Sequence, residues 1–183
     1  MEADADITFE IDPDAASAMA GIRRMVVPTD DRDDAVARTR AAALTFARNY
    51  GFGVVLYDRS DERWTDTPHA AGPFTADEID ADHRPHLPGQ LREFEAAGVH
   101  ATAWLATVPA LTAMLDVLQE LQADGVLLPD SLEHPKFMDR IQIGSDPAVM
   151  VDRVAELQTP TPPVVFVVPE TGPTTIRNYK ENT

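Results

Sequence analysis

The sequence predicts an α/β domain in which a parallel sheet is covered by helices on both faces. Two observations carry this. Short apolar runs alternate along the chain with stretches of helical periodicity, and the runs are continuous rather than alternating, as in strands buried on both faces. The 183 residues, 44% of them hydrophobic, suffice for one domain with a true core and a modest tail.

The elements follow in order. Residues 1–20 form an acidic, Ala-rich leader, and the patch Ile7-Thr8-Phe9-Glu10-Ile11 is its one candidate edge strand. Met25-Val26-Val27, closed by Pro28, reads as the first buried strand. Asp31 to Asp34 supply cap and first-turn acids for a helix from Ala35 to Tyr50, with Val36, Ala43, Phe46, Ala47 and Tyr50 near one face. Gly51 stops it, and Val54-Val55-Leu56-Tyr57 is the second strand. Asp58 to Pro73 read as loop, Thr75 to Glu78 as the opening of a short helix, and Pro85 and Pro88 exclude a long one. Leu91, Phe94 and Ala97 mark a helix ending at Gly98, followed by a third strand, Thr102 to Ala106. Pro109 precedes the clearest helix, whose stripe of Leu111, Met114, Leu115, Leu118 and Leu121 is a core face. Gly125 ends the turn, and Val126-Leu127-Leu128 is the fourth strand. Asp146-Pro147 opens a helix to about Leu157, Val164 to Val168 is the fifth strand, and residues 169–183 are a polar tail.

Charge and composition exclude several function classes. Thirty-one acidic residues against 15 basic ones give a formal charge of −16, which repels nucleic acid and anionic membranes. Only Lys136 and Lys180 are lysines, a pattern that suits a salt-rich cytoplasm and a GC-rich genome equally. The absence of cysteine excludes disulfides, thiolate metal sites and Cys nucleophiles. No apolar run approaches the ~20 residues that span a bilayer. Met1-Glu2-Ala3-Asp4 lacks the basic and apolar regions of a signal peptide, so a cytoplasmic protein is expected. Sequences of the Gly-x-Ser-x-Gly, Walker A and His-Glu-x-x-His types are absent, leaving catalysis without a motif.

Val26-Val27-Pro28-Thr29-Asp30 followed by an Ala-rich helix resembles the opening of the universal stress proteins. The resemblance runs from Met25 to Val168, with a long insertion around Asp58 to Pro88, and includes Gly144-Ser145 and the closing Val-rich strand. It implies a five-stranded parallel sheet of order 3-2-1-4-5, related to the adenine nucleotide alpha hydrolase and Rossmann-like folds, spanning residues 21–168. It also implies that Pro28, Thr29 and Asp30 line an adenosine site, with Asp30 approaching the ribose or adenine. The family holds phosphates with Gly-x2-Gly-x9-Gly followed by Ser or Thr. Counting back from Gly144-Ser145, Ser131 and His134 stand where the two earlier glycines belong, which narrows the phosphate loop. Asp146 is placed to occupy the helix N-terminus itself, and Asp130, Glu133 and Asp139 add negative charge against Lys136 and Arg140. A protonated His134 is a further phosphate contact, and Gly144-Ser145 an anion nest.

The expectation is a non-enzymatic universal-stress-like domain with weak or lost ATP binding and a regulatory or stress-response role. The alternatives are a nucleotide binder using altered loop contacts and a small α/β enzyme. The resemblance and the very apolar run Val164 to Val168, taken as a sheet edge, predict a homodimer through that strand. Asp80, Asp82, His83 and His86 carry metal-ligand side chains close together in sequence, but Pro85 breaks the helical spacing that would align the histidines, so no metal site is expected.

Overall fold

The computed structural model describes residues 8–31, 36–58, 70–106, 110–129, 154–157, 162–169 and 175–178. The chain builds β1 (Glu10–Ile11), α1 (Pro13–Met19), β2 (Arg24–Thr29), α2 (Ala37–Tyr50), β3 (Gly53–Asp58) and β4 (Ala70–Phe74). A 3-10 turn (Ala76–Glu78) leads to α3 (Leu87–Ala96), β5 (Ala101–Ala106), α4 (Ala110–Leu121), β6 (Gly125–Pro129), β7 (Val164–Val168) and β8 (Thr175–Asn178).

The sheet has eight strands, in the order β1-β8-β7-β6-β2-β3-β5-β4, which corrects the expected five. The strands read from apolar runs occupy its middle, β7-β6-β2-β3-β5, and every neighbouring pair among them is parallel. The three additional strands lie at the margins. β4 runs antiparallel to β5, β8 runs antiparallel to β7, and β1 pairs with β8. Alternating side chains of the central strands feed two cores. Met25, Val27, Leu56 and Phe166 meet α1, α2 and α3 on one face. Val26, Tyr57, Val126 and Leu128 meet Met114, Val117 and Leu118 of α4 on the other. Fully burying each large apolar side chain contributes about 1.5–3 kcal/mol, so the two cores fix the sheet's register as well as its stability.

Several expectations need correction. Residues 169–183 are not wholly a polar tail, because Ile176 in β8 is fully buried. The leader contributes structure too: α1 places Ala15 and Met19 in the core, and the Asp12 backbone N–H donates to the Ile176 carbonyl at 2.9 Å. The supposed loop before Pro73 contains β4, whose Gly72 is required because a Cβ there would lie 2.8 Å from the Ala103 carbonyl and the Trp104 ring. β7 is not a sheet edge, since β6 and β8 flank it, so strand addition at Val164 to Val168 is not a route to a dimer. Gly125 does not end a turn but opens β6, where a Cβ would press on Met25 Sδ at 2.9 Å. The turn after α4 is made by Gln122, with φ 51°.

The helix boundaries follow local chemistry. α2 ends at Gly51, whose φ of 80° is the left-handed region that glycine enters without cost. Its N-cap is Val36, with no side-chain cap, so Asp31 does not serve this helix as expected. Pro88 falls in the first turn of α3, where a missing N–H is harmless. Thr75 and Glu78 close a capping box around the 3-10 turn, with the Thr75 backbone N–H donating to Glu78 Oε2 at 3.3 Å.

Candidate functional site

In a doubly wound sheet, ligands bind beyond the carboxyl ends of the strands, where the strand order reverses. Here that point lies between β2 and β6, since the chain proceeds from β2 to β3 and β5 on one side and from β6 to β7 on the other. At their amino ends the two strands are tied: Asp124 Oδ2 accepts from the backbone N–H of Arg23 at 2.7 Å and of Arg24 at 3.1 Å. Their pairing covers Met25↔Gly125 and Val26↔Val126 and goes no further. By contrast, β2 pairs with β3 as far as Thr29↔Asp58, and β6 with β7 as far as Pro129↔Val168. The β2–β6 ladder therefore stops short of the carboxyl ends of both strands. Pro28, which has no N–H to give a ladder, sits beyond the last β2–β6 pair while still in register with Tyr57 of β3.

Pro28 and Thr29 are the last two residues of β2 and are buried; Asp30 follows directly and is 7% exposed. These three expected site residues thus stand together at the carboxyl end of β2, beyond the point where its ladder with β6 stops. Ser131, His134, Gly144 and Ser145 lie outside the described residues, as does Asp146.

A buried polar network, not foreseen from the sequence, joins the carboxyl ends of β2 and β3 to α2 and α3. Thr29 Oγ1 donates to Gln90 Oε1 of α3 at 2.6 Å and accepts from Arg40 of α2 at 3.2 Å. Asp58, at the end of β3, pairs with Arg84 through Oδ2 and Nε at 2.5 Å; its Oδ1 accepts from the Asp31 backbone N–H at 3.3 Å. Asp31 Oδ1 in turn accepts from the backbone N–H groups of His86 at 2.8 Å and Leu87 at 2.6 Å, capping α3 from a distant strand. His86, the N-cap residue of α3, makes no side-chain cap of its own. Thr29 and Asp58 are inaccessible to solvent, and Asp31, Arg84 and Gln90 are buried. Buried polar groups persist only when their partners are in place, so the network locks the geometry of both strand ends. No local signal marks these partners. Asp31 looks like a cap for the helix that follows it, and Arg84 stands in a Pro-interrupted segment.

The residues weighed as a metal cluster do other work. Asp80 Oδ1 accepts from the Asp82 backbone N–H at 2.9 Å, its Oδ2 meets His83 Nδ1 at 2.7 Å, and His86 gives its backbone N–H to Asp31. The Asp82 N–H, and then His83, hold the Asp80 carboxyl below its ordinary pKa. Among the described residues, no group of three or more His, Asp or Glu is placed to hold a metal ion, and no helix is long and apolar enough to cross a membrane.

No protein-family model matches the sequence, and no curated protein matches it. The fold does have solved counterparts. A crystal structure of a universal stress protein in complex with cAMP aligns with 82% of this chain and 98% of its own, at 16% identity and a TM-score of 0.53. N,N'-diacetylchitobiose deacetylase from Pyrococcus horikoshii aligns with 82% of this chain, at 12% identity and a TM-score of 0.51; this chain spans 62% of it. A universal stress family protein from Burkholderia pseudomallei aligns with 81% of this chain and 96% of its own, at 17% identity and a TM-score of 0.49. The central parallel sheet, the helix layers on both faces and the likeness to the cAMP-bound universal stress protein together give the chain the fold of the universal stress proteins.

Proposed function

We propose that this protein is a cytoplasmic, non-enzymatic binding domain for an adenine nucleotide of low charge, with a regulatory role. The observation that carries the reading is that the β2–β6 ladder, at the point where the strand order reverses, ends at Val26↔Val126, with Asp30 just past the carboxyl end of β2. Asp30 accepts a hydrogen bond from the ribose or the adenine in this reading. The structural neighbour with the TM-score of 0.53 holds cAMP, which supports retained nucleotide binding over complete loss.

Charge supports a ligand with few phosphates. At the strand ends three aspartates, at positions 30, 31 and 58, stand against Arg40 and Arg84, and the whole chain carries −16. A triphosphate brings more negative charge into that field than a cyclic monophosphate does. The sequence adds Ser131 and His134 in place of phosphate-wrapping glycines, and Asp146 beside the helix start. Each backbone hydrogen bond lost to a charged phosphate costs roughly 1.5–3 kcal/mol, and each 1.4 kcal/mol is about tenfold in affinity.

Calorimetric titration of the purified protein with cAMP, AMP and ATP, the last with and without Mg²⁺, tests the reading. The monophosphates are expected to bind more tightly than ATP. Micromolar ATP binding would overturn the charge argument; no heat with any of the three would overturn nucleotide binding itself.

A further inference from the structure

Asp30 and Asp31 are adjacent, yet they stand in different environments. Asp30 follows directly on β2, beyond the last residue that pairs with β6, and is 7% exposed. The Asp31 carboxylate faces α3 and spends one oxygen on two backbone N–H groups, those of His86 and Leu87. Its own backbone N–H is held by Asp58, which is held by Arg84, two residues before His86. Gln90, one turn into α3, reaches back to Thr29. The end of β2 is therefore fastened to one short stretch, residues 84–90, at Thr29 and Asp31, with Asp30 between the two fastened points.

We propose that Asp31 is the positioning residue of the ligand site. Its carboxylate anchors the strand end to α3, and this anchor fixes the direction in which Asp30 presents its own carboxylate to a ligand. Resting on the nucleotide-binding reading above, the inference assigns ligand affinity to a residue that touches no ligand. It also explains why a buried charge is retained here. A carboxylate at a helix N-terminus is favourable, and its two N–H bonds offset much of the cost of desolvation.

The test is a set of cAMP titrations on the full chain. Asp31→Asn keeps an oxygen acceptor for the α3 N–H groups and is expected to bind within about twofold of the unmodified protein, because Asn and Asp are comparable helix caps. Asp31→Ala removes the acceptor and is expected to weaken binding about tenfold or more at a temperature where circular dichroism shows it folded. Asp31→Glu keeps the charge but displaces the acceptor by one methylene, and is expected to weaken binding as well; it serves if the alanine variant does not fold. The decisive arm is the cycle with Asp30→Ala, since residues acting through one another are non-additive. The penalty of Asp31→Ala should vanish once Asp30 is gone, which a purely structural role would not produce. Unchanged affinity in Asp31→Ala, or the same penalty with Asp30 present and absent, overturns the inference while leaving nucleotide binding intact. Failure of the unmodified protein to bind cAMP overturns both, and the first titration alone reveals it.

Discussion

Replacing Arg84 with methionine removes the cation from a pair in which the guanidinium is 5% exposed and the Asp58 carboxylate fully buried. Methionine fills much of the same volume, so the loss is chiefly of charge and hydrogen bonding rather than of packing. What remains is a carboxylate at the end of a central strand, away from water, with its cationic partner gone. Breaking a buried pair in this way costs about 3–5 kcal/mol, several times the value of a surface pair. A domain of this size shifts its melting temperature by about 2–4 °C per kcal/mol, so a fall of roughly 6–20 °C is expected. Urea denaturation followed by circular dichroism gives the free energy, and a thermal scan gives the midpoint. Adding Asp58→Asn to the methionine variant neutralises the stranded charge and should restore a large part of the loss. A loss below about 1 kcal/mol would mean that water reaches Asp58 as it reaches a surface group, and the account of a locked strand end would fail. So would a double variant no more stable than Arg84→Met alone.

Gly72→Ala places a methyl group 2.8 Å from the Ala103 carbonyl and the Trp104 ring; a destabilisation of about 1–3 kcal/mol in chemical denaturation is expected. Ile176→Ala should cost about 2–5 kcal/mol if β8 belongs to the core, whereas a polar tail would tolerate it; the same denaturation curve decides. Asp80 has its pKa lowered by folding, so its contribution is present above its unfolded-state value and fades as pH falls through the folded one. Asp80→Asn should therefore flatten the acid limb of a stability-versus-pH profile, and NMR titration of the Asp80 carboxyl checks the direction. Light scattering in low and high salt tests the homodimer expected from the sequence, since salt screens the repulsion between two chains of −16. Blocking the edge at Val164 to Val168 is not expected to change the mass, because β7 already has neighbours on both sides.

The middle of this fold can be read from local sequence. Met25 to Val27, Val54 to Tyr57, Val126 to Leu128 and Val164 to Val168 are continuous apolar runs, and only burial on both faces suits such runs, so their strand identity was legible locally. Gly51 and the stripe of Met114 and Leu118 were legible for the same reason: one requires a left-handed φ, the other one helical face. The resemblance around Pro28, Thr29 and Asp30 likewise fell on the carboxyl end of a central strand, beside the point where the strand order reverses. The margins were legible only in part. The patch Ile7 to Ile11 stood out as a candidate edge strand and contains β1, whereas β4 and β8 carry no strand pattern of their own and become strands only when a finished edge offers them hydrogen bonds. The position of β7 inside the sheet depended on β8 in the same way. The site's supporting network was decided by tertiary structure alone. Asp31 and Leu87 are 56 positions apart, and Asp58 and Arg84 are 26 apart. A carboxylate carries no local mark of which distant N–H or guanidinium it will meet. That choice is made when α3 packs on the sheet and encloses the strand ends, where water can no longer satisfy the buried polar groups.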